Sequence, residues 1–217
     1  MDPQATVRAS VLLGGMAILF YVFVFFPYFK FLPLETDTQP NAFIIGLIIL
    51  VLVGPGLKLP QQCWALGLLA LMAFALFLPD YRSFNAARGL FGYLSLFVAS
   101  SAAYICARGG YPLTMTHLRV FISAWFLLGL MQLLIDPAIG TQWSSAARSS
   151  DLRGIVSFGV EPGYYASMMV FFLLVLVAKK KEVSLWGLLC VIQIVFMAQS
   201  TVALAALAIP VLVYLLF

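Results

Sequence analysis

Arg148, Arg153 and Glu161 lie close together in an otherwise apolar chain, and the last two flank the stretch RGIVSFGVEP that runs on into GYYAS. A guanidinium presents a planar fork of donors that matches phosphate oxygens. Pro162 fits the first turn of a helix, where its missing N–H costs nothing. The amides of such a helix start add to an anion site. Glu161 then stands at the helix N-terminus, where negative charge is favoured. It can cap the helix, orient an arginine or act as a general base. Tyr164 and Tyr165 follow, able to stack on sugar rings or to anchor the helix at a membrane interface. Arg82 and Arg88 lie on another connection and could complete a basic cluster. The chemistry these residues offer is the holding of a phosphorylated group beside a carboxylate.

The elements that must position them are membrane helices. The 217 residues are 64% hydrophobic and 9% charged, whereas a soluble domain is about a quarter charged. Too little polar surface remains to cover a water-soluble particle. Apolar runs predict about eight spans, near 9–29, 39–56, 62–79, 89–107, 117–135, 162–178, 183–199 and 201–217. Each approaches the ~20 residues needed to cross ~30 Å of hydrocarbon. The fold class is therefore all-α, a polytopic integral membrane helical bundle, with 1–217 as a single transmembrane domain. The short alternating segments of a membrane β-barrel are not seen. The run from Val11 continues past Phe26 without a small-residue cleavage site, so it reads as a retained first span.

Connections carry turn chemistry, as at Gly54-Pro55-Gly56 and Gly109-Gly110-Tyr111-Pro112. The longest polar connection is 136–161, and function concentrates on such loops. With the N-terminus inside, Arg8, Lys58, Arg108, Arg119, Lys179, Lys180 and Lys181 are cytoplasmic, while Lys30, Arg82, Arg88, Arg148 and Arg153 are outside. That bias fits a cytoplasmic N-terminus, and it turns the 136–161 loop outward. The outer-face anion that suits the arginines is a lipid-linked diphosphate.

The net charge of +4 is scattered between spans, which implies no nucleic-acid partner. Lys179-Lys180-Lys181 reads as a topological anchor. Cys63, Cys106 and Cys190 show neither metal-site nor disulfide spacing. No metal and no cofactor is expected. Gln132 and Gln193 are the polar residues in mid-span. A transporter would favour mid-span charge and paired broken helices. No internal repeat is visible, and the Gly54-Pro55-Gly56 break has no clear counterpart.

Arg153-Gly154, Phe158-Gly159, Glu161-Pro162 and Ala166 resemble the pattern of the O-antigen polymerase and O-antigen ligase superfamily. Arg148 to Gly159, an arginine, ten residues and a glycine, is similar to a loop motif of Wzy-type polysaccharide polymerases. Gln199-Ser200-Thr201 resembles the hydroxyl-rich start of a later family span, here without the arginine that members often carry there. The likeness by motif covers mainly 148–217; residues 1–147 resemble the family by hydropathy alone. Members are usually longer, and the apolar end at Leu215-Leu216-Phe217 reads as the N-terminal part of a longer protein. His117, at a cytoplasmic span end, cannot replace the loop histidine of the ligase branch.

The resemblance implies a metal-independent glycosyltransferase at the outer face of the bacterial cytoplasmic (inner) membrane. It would polymerise surface or exopolysaccharide from undecaprenyl diphosphate-linked oligosaccharide, beside flippase and chain-length regulator proteins. Arg153 would stabilise the leaving diphosphate and Glu161 would serve as base or orienting group. Arg148, Arg82, Arg88, Tyr164 and Tyr165 would bind diphosphate or glycan. Glu-Pro leans toward polymerase, since ligases more often show Asn-Pro. The alternatives are an O-antigen ligase, or a non-enzymatic transporter or scaffold.

Overall fold

The computed structural model describes residues 3–30, 39–53, 58–77, 84–143, 154–179, 183–200 and 205–209, with side chains omitted for 3–10, 77, 84–90 and 183–184. Every extended element among these residues is helical. The α-helices are α1 (Pro3–Phe25), α2 (Asn41–Val53), α3 (Gln61–Phe77), α4 (Phe84–Arg108), α5 (Met115–Leu134), α6 (Pro162–Ala178) and α7 (Val183–Ile192). A 3-10 turn covers Thr141–Trp143, and α7 continues into a π-helical segment, Gln193–Ala198. These helices fall on seven of the predicted apolar runs. The eighth run, 201–217, lies outside the described residues except for 205–209.

Local sequence explains the helix ends. Pro27 disfavours helical conformation at Phe26, and α1 stops at Phe25. At the end of α4, Gly110 adopts φ +88°. Tyr111 N–H donates to the Cys106 carbonyl at 2.9 Å and Gly110 N–H to the Ala107 carbonyl at 3.3 Å. This is the paired closure that a left-handed glycine permits. The start of α5 is a capping box: Thr114 Oγ1 accepts from His117 N–H at 3.3 Å, and His117 Nδ1 accepts from Thr114 N–H at 3.2 Å. His117 thus belongs to a helix start.

Two helical stretches, Phe91–Arg108 and Met115–Leu134, are long and apolar enough to cross a membrane, at 18 and 20 residues. Five other apolar helical stretches are shorter, at 10–17 residues. Much of the described surface is greasy. Leu76 is 77% exposed, Leu71 65% and Val51 63%. Among the described residues no charged side chain is fully buried.

The chain forms two compact units. Unit 1 comprises Met1–Val24 and Pro40–Leu113. In it α4 packs along both α2 and α3. Gly46 of α2 makes room for the α1 ring of Phe20 and for Val98 and Ala102 of α4, each of which a Cβ would meet within 3.5 Å. Small residues at helix crossings let backbones approach in this way. Cys63 and Cys106 are buried free thiols, as is Cys190 in unit 2.

Unit 2 comprises Phe25–Gln39 and Thr114–Phe217. Its core is aromatic. Phe25 stacks on Phe121 at 5.1 Å and on Phe172 at 4.9 Å. The Trp125 indole N–H donates to the Phe25 carbonyl at 3.0 Å, satisfying one of the acceptors that every helix C-terminus leaves open. Gly129 of α5 faces Tyr165 of α6, Met197 of the π segment and Ile155 of the preceding loop, all within 3.1 Å of a Cβ built there. The late part of α5, the start of α6 and the end of the π segment therefore share one end of the unit. It follows that α6 runs opposite to α5 and α7.

Candidate functional site

The described end of the loop that carries the expected chemistry, 154–161, is seated on this end of unit 2. Gly154 lies against backbone: a Cβ there would run into the carbonyls of Met197 and Ala198. Beside it, Ile155 N–H donates to the Met197 carbonyl at 2.9 Å. Glycine after Arg153 is thus required by close approach. The chain then turns, with Gly159 N–H donating to the Val156 carbonyl at 2.8 Å. Within that turn Ser157 has φ 48°, left-handed backbone that a non-glycine residue rarely adopts.

Buried polar contacts hold Ser157 in place. Its N–H donates to Gln132 Oε1 at 2.7 Å and its carbonyl accepts from Gln132 Nε2 at 3.2 Å. Its hydroxyl donates to the Trp125 carbonyl at 2.8 Å. Gln132 Nε2 also reaches the Ile139 carbonyl at 2.8 Å. Both side chains are essentially inaccessible to solvent. Gln193, the other mid-span glutamine, accepts the Tyr165 hydroxyl at 2.8 Å and donates to the Leu189 carbonyl at 3.2 Å. Both glutamines are buried, and each ties elements of unit 2 together.

Glu161 occupies the N-cap position of α6, extended at φ −141° and ψ 157°, with Pro162 at the first helical position. The predicted helix start is therefore seen. The capping role is corrected: the Glu161 side chain makes no cap hydrogen bond. Its backbone carbonyl instead accepts from Tyr164 and Tyr165 N–H, both at 3.1 Å. Tyr164 is half-buried, its ring 5.4 Å from that of Tyr28. Tyr165 departs from its expected glycan contact. It is fully buried, stacked on Trp125 at 5.6 Å, and serves as packing. Arg82, Arg148 and Arg153 lie outside the described residues. Arg88 falls near the start of α4, among the residues whose side chains are omitted.

The structure adds residues that sequence reasoning passed over. Phe158 meets Phe26 edge-on at 4.9 Å and Trp125 edge-on at 5.5 Å, and lies under Trp143 at 6.3 Å. The Trp143 carbonyl accepts from Lys30 N–H at 2.7 Å, which ties the chain after α1 to the loop after α5. Gln199, at φ 49°, ends the π segment. Ser200 then comes beside the first turn of α6, its Oγ 4.0 Å from a Cβ built on Gly163. The Glu161-Pro162 step and the Gln199-Ser200 step, 38 positions apart, are neighbours. Among the described residues, no three His, Cys, Asp or Glu side chains gather as a metal would require. What the described residues at this end of unit 2 bring together is the Glu161-Pro162 helix start, Ser200 beside its first turn, and the rings of Phe26, Phe158 and Trp143. No family model, no curated protein and no solved structure matches this chain.

Proposed function

We propose that the chain is a surface-polysaccharide polymerase of the O-antigen polymerase and ligase type. It works as a bundle of about eight spans in the bacterial cytoplasmic membrane, with the N-terminus inside and the 136–161 loop outside. The donor is a glycan on undecaprenyl diphosphate and the acceptor is another lipid-linked repeat unit. Arg153, assisted by Arg148, neutralises the diphosphate as it leaves, since preorganised donors act most strongly where charge develops. Glu161, at the start of α6, orients an arginine or takes the acceptor proton.

One observation carries this reading. The described parts of the two stretches on which the resemblance rests, 154–166 and Gln199–Ser200, approach each other at Gly163 and Ser200, and Gly154 lies against the Met197 and Ala198 carbonyls just ahead of the second stretch. The exposed Leu and Val side chains on α2 and α3 are a surface that suits lipid better than water.

Complementation of a strain lacking its surface-polysaccharide polymerase tests the proposal, with lipid-linked polysaccharide resolved on a gel. A ladder of chain lengths supports polymerisation. Capped single repeat units alone exclude a polymerase and leave ligation, transport or scaffolding.

A further inference from the structure

Trp143 closes the 3-10 turn Thr141–Trp143 and is tied from outside that turn as well. Its backbone is pinned on both sides: its N–H donates to the Gly140 carbonyl at 3.0 Å, and its carbonyl accepts from Lys30 N–H at 2.7 Å. Its ring lies nearly parallel to Phe158, with 19° between the planes. Phe158 is itself wedged edge-on between Phe26 and Trp125, at 86° and 71°. Gln132 fixes the backbone of Ser157, immediately before Phe158, and the Trp125 carbonyl accepts the Ser157 hydroxyl. A rigid aromatic ladder therefore runs from the core to Trp143, which remains 44% exposed. An aromatic ring presented with its orientation already set loses little entropy when a flat apolar face settles on it.

We infer that Trp143, backed by Phe158, is a stacking platform for a sugar ring of the glycan substrate. The C–H face of a pyranose is the apolar surface that suits an indole. Lys30, exposed and bonded to the Trp143 carbonyl through its backbone N–H, brings a donor of the kind that sugar hydroxyls need. Tyr164, paired with Tyr28, offers further aromatic surface on the first turn of α6. The inference deepens the polysaccharide reading and rests on it.

The test uses the intact protein in lipid nanodiscs. The probe is the surface-polysaccharide repeat unit released by mild acid from the lipid carrier of the producing cells, with affinity read by saturation-transfer NMR. Trp143→Phe keeps an aromatic face, whereas Trp143→Leu keeps apolar bulk for a lipid interface but loses that face. Trp64→Ala removes another exposed tryptophan, 58% exposed on α3 of unit 1. The platform predicts that Trp143→Leu binds about tenfold more weakly, the scale of one aromatic anchor. Trp143→Phe and Trp64→Ala stay within about threefold of the parent, less than half that anchor's free energy. Equal affinity of the Leu and Phe variants would make Trp143 a membrane-interface anchor and overturn the platform, as would a parent protein that binds no glycan. Ladder formation is read on the same preparations. A ladder with equal Leu and Phe binding removes the platform alone. The predicted binding pattern without a ladder removes the polymerase reading and leaves the platform standing.

Discussion

Gln132 and Ser157 hold each other by two hydrogen bonds, side-chain amide against backbone amide, at 2.7 and 3.2 Å. The glutamine mimics a peptide unit, so the loop backbone is paired where no helix or strand could pair it. A buried N–H or carbonyl left without such a partner is costly. The pairing also explains how Ser157 is kept at φ 48°, since strained backbone persists only where its surroundings over-determine it.

Gln132→Leu should destabilise the protein by about 1–3 kcal/mol, because Ser157 loses partners for both backbone groups inside the core. The midpoint of thermal unfolding in detergent measures this. Gln62→Leu, at an exposed position of α3, should stay within about 0.5 kcal/mol of the parent.

The glycines divide by what surrounds them. Gly154→Ala should destabilise by about 1–3 kcal/mol, since the clash is with the Met197 and Ala198 carbonyls, which cannot swing aside as a side chain can. Gly15→Ala should be neutral or stabilising by up to about 1 kcal/mol, because Gly15 sits within α1 with nothing near a Cβ. Comparing the two unfolding midpoints checks both.

Adjacent tyrosines should behave differently. Tyr165→Phe leaves the buried Gln193 Oε1 without its hydroxyl donor and should cost about 1–3 kcal/mol. Tyr164→Phe, half-buried at the same helix start, should cost less than about 0.5 kcal/mol. Equal losses would show that the Tyr165–Gln193 bond contributes nothing of its own.

For activity, Arg153→Ala should abolish the polysaccharide ladder, on the scale of about 10²–10³ in rate for one lost donor to developing charge. Lys180→Ala, in the lysine run proposed to lie on the opposite side of the membrane, should leave the ladder unchanged. A normal chain-length distribution from Arg153→Ala would sink that site assignment.

Helix positions were legible because proline and glycine punctuate the apolar runs. Pro162 and Gly110 each stand at a boundary the structure adopts, whereas Pro27, inside the expected 9–29 span, ends α1 early, at Phe25. The start of α6 at Glu161-Pro162 was legible for the same reason. Which face of each helix is buried was not. A run apolar all round, such as the one holding Tyr165, has no polar face from which to infer its opposite. Tyr165 therefore looked like an interface residue and is core. Gln132 and Gln193 were visible as polar residues in mid-span, yet their partners lie 25 and 28 residues away in sequence. No local pattern announces Ser157 as the answer to Gln132. The aromatic ladder is equally non-local, since Phe26, Trp125, Phe158 and Trp143 come from four separate segments.

The π-helical segment Gln193–Ala198 carries a consequence for length variation. A π turn amounts to one extra residue accommodated within an α-helix. Deleting a single residue from it would let α7 finish as an ordinary helix. The residues downstream would keep their place around the axis, because the wide turn already takes up the roughly 100° that an extra residue adds to an α-helix. Ser200 would stay beside Gly163, and the carbonyls that cradle Gly154 would still face it. A one-residue deletion within 193–198 should therefore be absorbed, whereas the same deletion early in α5, which has no such turn, should swing Gln132 away from Ser157.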